Sequence, residues 1–307
     1  MTGVSTILAT GPSGSGPSGS GPARAAGPQP RRRRLRVSPL TPVTYLTALV
    51  LVGVTVVPLL FVFVDGFKSN AQINSSATAL PNPWVTHNYA QMLTSAAFWQ
   101  PLENSAVIAA IATALVVVLG SMAAFALSRY AFRGREGLFL LFAVGLLFPI
   151  NAAALPLYLM LDKIGLLDSP LGVALPEAAF GLPITIVILR PFMREIPGEL
   201  EDAAVVDGAT RIGFFLRVLL PLSRPALVTV AVLAFVQSWN QYLIPLLVFT
   251  SQGRFTLPLA VANFQTQYAQ NTASILAFTA LSMLPALGCF IFAQRHLVGG
   301  FTGAVKG

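Results

Sequence analysis

The chain has one cysteine, Cys289, in 307 residues, so no intramolecular disulfide is open to it. Its two histidines, His87 and His296, are far apart and fall on opposite faces in the topology derived below. A histidine metal site and a Ser-His-Asp constellation are therefore unsupported. No G-x-x-x-x-G-K-[ST] occurs, which excludes ATP binding by a P-loop. Charge is scarce as well: only 10% of residues are Asp, Glu, Lys or Arg. A soluble fold of this size would lack polar surface.

What is abundant is hydrocarbon, with 55% of residues hydrophobic. Six apolar stretches run approximately from Val43 to Val64, Asn104 to Ser128, Leu138 to Met160, Gly172 to Met193, Pro225 to Phe249 and Ala273 to Ala293. Each is close to the roughly 20 residues that a bilayer-spanning helix needs. The expected fold class is an all-α integral membrane protein with six transmembrane helices. Glu177 interrupts the fourth stretch; it either marks the outer boundary of that span, the preferred reading, or faces the protein interior.

Basic residues set the orientation. Sixteen of nineteen Lys and Arg lie in the N-terminal tail, the second-to-third connection, the fourth-to-fifth connection with its flanks, and the C-terminal tail. Only Lys68, Lys163 and Arg254 fall on the other side. Both termini are thus expected in the cytoplasm. The net charge of +8 mostly reflects this asymmetry and makes no case for nucleic acid. Residues 1–42 form a Gly/Pro/Ser-rich basic tail that cannot bury enough surface to fold, and residues 43–307 form the membrane domain. The Arg31–Arg34 run suits an anchor beside anionic lipid.

The connection 194–224 is the longest polar interval between strongly apolar segments. Pro197 suits the first turn of a helix, and Glu199, Glu201 and Asp202 cluster near that N-terminus, where the helix dipole favours acids. Gly208 suits the turn that ends it. Thr210 can cap a second helix with apolar positions Ile212, Phe215, Leu216 and Leu219. The small Ala203 and Ala204 would let another protein approach closely.

Asp202-Ala203-Ala204, three residues, Gly208, nine residues, then Val218-Leu219-Leu220-Pro221 resembles the EAA signature of permease subunits of bacterial ATP-binding cassette importers. Asp202 stands where that family usually has glutamate, with Glu201 beside it. Tyr89, Asn104-Ser105, Ala126-Leu127-Ser128-Arg129, Trp239-Asn240 and the tail Gly303-Ala304-Val305-Lys306-Gly307 extend the resemblance to the carbohydrate branch, to the smaller maltose and glycerol-phosphate type of subunit. The resemblance implies a type I importer permease fold in the bacterial inner membrane, without its own ATPase site. It implies a second permease subunit, two ATPase subunits that bind ATP and Mg, an extracytoplasmic binding protein and a sugar substrate. Glu201, Asp202, Ala203, Ala204, Gly208 and Pro221 would form the coupling helix and its flank. Lys306 and Gly307 would touch the ATPases, unless the terminus is simply frayed; Gly299, Gly300 and Gly303 would lend that tail backbone freedom.

Gln237, Asn240 and Gln241 recur at i, i+3 and i+4 in the fifth stretch, with Trp239 and Tyr242 beside them. Trp239 lies about 21 Å along a helix from Pro225, past the bilayer midpoint. Amides and aromatic faces suit sugar hydroxyls and C–H groups. They suit helix–helix hydrogen bonding and an outer aromatic anchor still better, because a partner chain can hold most of the ligand. A glycerol-phosphate diester or another polar solute remains an alternative cargo. A secondary transporter subunit is disfavoured by the near absence of ionisable residues in the spans.

Overall fold

The structure, a computed structural model, describes residues 41–76, 78–267 and 271–304. The described residues divide into two units between Leu51 and Val52. The tail expected over residues 1–42 lies outside the described residues except at its end, as do Lys306 and Gly307. Every regular element among the described residues is helical. Four helices are each long and apolar enough to cross a membrane, and two bent pairs are apolar enough when taken together. The expected six spans are reached when each bent pair counts as one.

Helix α1 (Thr41–Asp65) leads into two short helices, α2 (Asn70–Ser75) and α3 (His87–Thr94). Val54 and Leu60 of α1 are 70% and 55% exposed, a cost in water that lipid removes. Helix α4 (Ala96–Arg129) starts where Ser95 Oγ accepts a hydrogen bond from Ala97 N–H at 3.1 Å. Its 34 residues make a rod of about 50 Å, longer than the ~30 Å hydrocarbon layer.

Helix α7 (Pro170–Glu195) starts on Ser169, whose Oγ accepts from Gly172 N–H at 3.0 Å, with Pro170 in the first turn. It runs parallel to α4 in one register. A Cβ on Gly120 would sit 2.4 Å from Thr185 Cγ2, and one on Gly181 would sit 2.9 Å from Val116 Cγ2. These contacts need glycine because the two backbones approach closely. At the start of α7, a Cβ on Gly172 would lie 2.0 Å from the Leu166 carbonyl oxygen.

Helix α5 (Arg135–Gly145) runs antiparallel to α7, with Glu136 at Arg190 and the Phe148 ring just beyond α5 stacked on Phe180. The expected third span is not one straight helix. The chain turns through 92° between α5 and the following 3₁₀ turn (Ile150–Ala153) with α6 (Ala154–Lys163). Pro149 supplies no N–H and its ring blocks helix continuation, so Leu147 and Phe148 bond back only three residues, to Val144 and Gly145.

After α7 come α8 (Glu199–Val206), α9 (Arg211–Phe214), a π turn (Phe215–Leu219), α10 (Leu220–Leu222) and α11 (Arg224–Trp239). Helix α11 is antiparallel to α4 and α7. The expected fifth span, Pro225 to Phe249, stops at Trp239 and restarts as α12 (Leu243–Val248). Pro245 would clash with the carbonyl of Gln241 in a continuous helix, which explains the interruption. Helices α13 (Leu257–Gln267) and α14 (Thr272–Ala304) complete the chain. Gly299, Gly300 and Gly303 stand inside α14, so they do not supply the loose tail expected of them.

Glu177 takes the second of its two expected settings. It is the eighth residue of an unbroken α7 and only 8% exposed, so it faces the protein interior. Serine 238 of α11 meets it there, and a hydroxyl donor is what makes a carboxyl tolerable among apolar neighbours.

Candidate functional site

The segment from Ile196 to Leu222 gathers at the end of the bundle where α4 and α7 finish. Arg129, the last residue of α4, ties it down. Its Nη2 donates to the carbonyls of Met193 at 2.9 Å and Ile196 at 2.7 Å, which close α7. Its Nε lies 4.0 Å from Glu201 Oε2, and its guanidinium stands 5.9 Å from the Phe214 ring centroid. One side chain thereby joins α4, α7, α8 and α9. Arg211 stacks 5.0 Å over Tyr130 beside it; burial pushes the Tyr130 phenol up, while the Arg211 charge pulls the other way. Arg190, buried in α7, donates from Nε to the Leu127 carbonyl at 3.1 Å and reaches Glu136.

Helix α8 stands on this base. Glu199, Glu201 and Asp202 occupy its first turn, as the dipole favours. Gly198 is the N-cap, so Pro197 precedes the helix and does not sit in its first turn as expected. The chain leaves α8 through Gly208 at φ +82°, and Ala209 N–H bonds the Ala204 carbonyl at 2.8 Å. That left-handed position explains the glycine. The two candidate acids face different ways. Glu201 is half-buried toward Arg129, whereas Asp202 is exposed. Ala203 is exposed with Asp202, and Ala204 turns inward. Val205 and Val206 are 58% and 87% exposed, an apolar end that water alone would not favour.

The second helix is not the single amphipathic stretch expected. Thr210 does cap it, its Oγ1 accepting from Gly213 N–H at 3.1 Å. After one α turn the backbone widens, and Leu220 N–H bonds the Phe215 carbonyl five residues back. Pro221 causes this: it has no N–H to donate, and its ring cannot pack on the carbonyl of Arg217 in an α register. The change of register buries Phe214, Phe215 and Leu219 and leaves Ile212 and Leu216 exposed. Phe215 stacks on Phe125 of α4 at 4.8 Å.

The five residues proposed for a substrate path do not form one face. Gln237 is in α11, Asn240 is its C-cap, and Gln241 and Tyr242 lie in the interruption. Asn240 Nδ2 donates to the Val236 carbonyl at 2.8 Å, and Gln241 Oε1 accepts from the N–H groups of Tyr242 and Leu243 at 3.1 and 3.3 Å. Their amides repair the broken backbone. Trp239 is buried against Phe235, whereas Asn240 and Tyr242 are exposed. Asn240 and Tyr242, with the edge of Trp239, line a groove of about 530 Å³ beside α13 and α14. Gln237 and Gln241 instead line a tight cleft beside Glu177. Sequence periodicity missed Glu177 and Ser238 as a pair, and sequence reading assigned Arg129 no role in holding α8. The Ala126-Leu127-Ser128-Arg129 stretch was the available hint.

A helical bundle with a short acidic helix presented at one end defines a class, and comparison identifies it. Residues 116–302 match the family described as binding-protein-dependent transport system inner membrane component. The chain belongs to that family and is a multi-pass permease subunit of an ATP-binding cassette importer. The trehalose transport system permease protein SugB of Mycobacterium tuberculosis is 37% identical over 262 residues, 83% of this chain and 94% of that protein. The diacetylchitobiose uptake system permease protein NgcG of Streptomyces coelicolor is 34% identical over 248 residues, 80% and 82% of the two chains. A chain of a bacterial ABC transporter that imports the acidic polysaccharide alginate shares the fold, with a TM-score of 0.71 at 22% identity, over 84% of this chain and 98% of that one.

Proposed function

We propose that this chain carries a sugar or oligosaccharide into the cytoplasm as one half of an ATP-driven importer in the inner membrane. A second permease subunit completes the pathway, an extracytoplasmic binding protein delivers the sugar, and two ATPase subunits bind ATP and Mg. In this reading both termini and α8 are cytoplasmic, and α8 docks on an ATPase subunit.

The observation that carries the reading is the contrast between the two sides of α8. One side is bound through Arg129 to the ends of α4 and α7. The other presents Asp202, Ala203, Val205 and Val206. Burying an exposed valine is worth about 1.5–3 kcal/mol, so a partner that covers Val206 gains affinity. A partner that then moves would load α4 and α7 directly through Arg129, and differential contact in two states is what a driven switch requires. Relatives named for trehalose and diacetylchitobiose support a sugar as cargo.

The test uses a cysteine placed at Ala203 in a Cys289→Ser background. It should react with a membrane-impermeant maleimide only from the cytoplasmic side and should cross-link to the ATPase subunit in the assembled complex. Labelling from outside would overturn the orientation; a complex that assembles without the cross-link would overturn the docking. Uptake of trehalose and diacetylchitobiose into proteoliposomes tests the cargo.

A further inference from the structure

The end of the bundle opposite α8 carries polar side chains of two kinds. Gln100 stands in the first turns of α4, about 43 Å along the helix from Arg129. Some of its polar neighbours are spent on the protein's own backbone. Asn104 Nδ2 donates to the carbonyls of Gly253 at 2.9 Å and Phe255 at 3.0 Å, and Ser105 Oγ accepts from Leu257 N–H at 2.8 Å. These bonds fix the 3₁₀ turn Gln252–Arg254 and the start of α13 against α4. The other kind is spent on nothing. Gln100, Gln252 and Gln267 are exposed and make no side-chain hydrogen bond among the described residues.

The three free amides line one pocket of about 190 Å³ between α4, the 3₁₀ turn and α13. Phe255, Phe264 and Phe278 give it an aromatic wall, the last two stacked at 5.1 Å. No charged side chain lines it. Gly253 leaves room for the Gln100 amide, because a Cβ there would lie 3.2 Å from Gln100 Nε2. The pocket shares no lining residue with the groove at Asn240 and Tyr242. It is open as it stands and holds about six water volumes of ~30 Å³ each. That suits a single sugar ring, and it is smaller than the roughly 300–1,000 Å³ that encloses a drug-sized ligand.

Each glutamine amide offers two donor hydrogens and an acceptor oxygen. Uncharged amides beside an aromatic wall suit the hydroxyls and the C–H face of a pyranose, and they supply no countercharge for a phosphate or a carboxylate. A wall already held by Asn104 and Ser105 costs little to order when a ligand arrives. We propose that this pocket is a saccharide subsite that takes one ring of a neutral sugar at the outer end of the chain. The inference rests on the sugar reading of the preceding subsection, in which this end faces outward.

The experiment is saturation-transfer NMR on the full complex in nanodiscs, without binding protein or nucleotide. Trehalose, diacetylchitobiose and glucuronate are the probes. At least one of the two disaccharides should give transfer signals, and glucuronate should give none. The double variant Gln100→Ala, Gln252→Ala should weaken Kd for the disaccharide about tenfold, for two lost hydrogen bonds. Its thermal stability should be unchanged, because neither amide bonds the protein. Gly253→Trp, which fills the pocket, should abolish the signal; should it fail to assemble, the double variant decides. Equal signals in the wild type and the variants would overturn the proposal, as would a glucuronate signal as strong as the disaccharide's. Weaker association of the binding protein with an unaltered sugar signal would also overturn it and assign the pocket to a protein contact. A wild-type complex that imports either disaccharide into proteoliposomes yet gives no signal sinks the subsite alone; one that imports neither sinks the sugar reading and the subsite together.

Discussion

Residues 199–208 and 237–242 both interrupt an apolar chain with polar side chains, and they do so to opposite ends. In the first, the backbone satisfies itself through a short helix and a glycine turn. Its side chains are left free to point outward or toward Arg129. In the second, the helix has stopped, and Asn240 and Gln241 turn their amides back onto the main chain. A polar residue is available to a partner only after the backbone around it has been satisfied. The same contrast separates a presented surface from an internal repair.

Four changes would break or sharpen this contrast. The largest effect is expected at Gly208. Glutamate at φ +82° adds about 1–2 kcal/mol of backbone strain and disturbs the exit from α8. Transport by Gly208→Glu should fall more than tenfold with basal ATPase activity intact; normal uptake in a reconstituted complex would remove α8 from coupling. Next is Arg129→Ala, which leaves the Met193 and Ile196 carbonyls without their charged donor, at about 1.5–3 kcal/mol for such a bond. Hydrogen exchange should speed up across 197–208, and an unchanged pattern would show that α8 stands without its tie.

A smaller change is expected for Asn240→Ala, about 1 kcal/mol for the lost contact with the Val236 carbonyl. Thermal stability should drop slightly, with KM for the transported sugar unaltered. A raised KM would mean that the amide serves the ligand and not the break.

The smallest effect concerns Asp168, which anchors the chain just beyond α12. Its carboxylate accepts from Ser251 Oγ at 2.6 Å and from the N–H groups of Thr250 and Ser251 at 3.2 Å. The Ser251 hydroxyl above all, opposed by some burial and helped by these N–H groups and by Arg254, holds the carboxyl below the usual aspartate range. A depressed folded pKa stabilises the fold above the unfolded value of about 3.9, and that contribution is lost as pH falls through the folded value. Stability of the 249–254 loop, followed by hydrogen exchange, should weaken below about pH 4 in the wild type and lose this component in Asp168→Asn.

Much of α8 was legible because its determinants are local. Acids in a first turn, a glycine at the exit and a threonine cap act on residues within four positions of themselves. The π turn at Phe215–Leu219 was less legible, although its cause, Pro221, is adjacent in sequence. Periodicity assumes one register, and a proline can exchange it for another without ending the helix. The interruption at Trp239 escaped for the same reason: Gln237, Asn240 and Gln241 satisfied an i, i+3, i+4 pattern that the backbone does not maintain.

By itself the sequence determined the all-helical membrane class, the positions of the apolar stretches, the short acidic helix and the family resemblance. These follow from hydrocarbon length, charge placement and local backbone preference, none of which needs a neighbour. Only the tertiary structure decided that Glu201 turns toward Arg129 while Asp202 faces out, that Asn240 and Gln241 part company into different clefts, and that Glu177 meets Ser238 within the bundle. Each depends on the register between helices far apart in the chain. That register is set by close contacts such as Gly120 with Thr185 and Gly181 with Val116, which no single helix encodes.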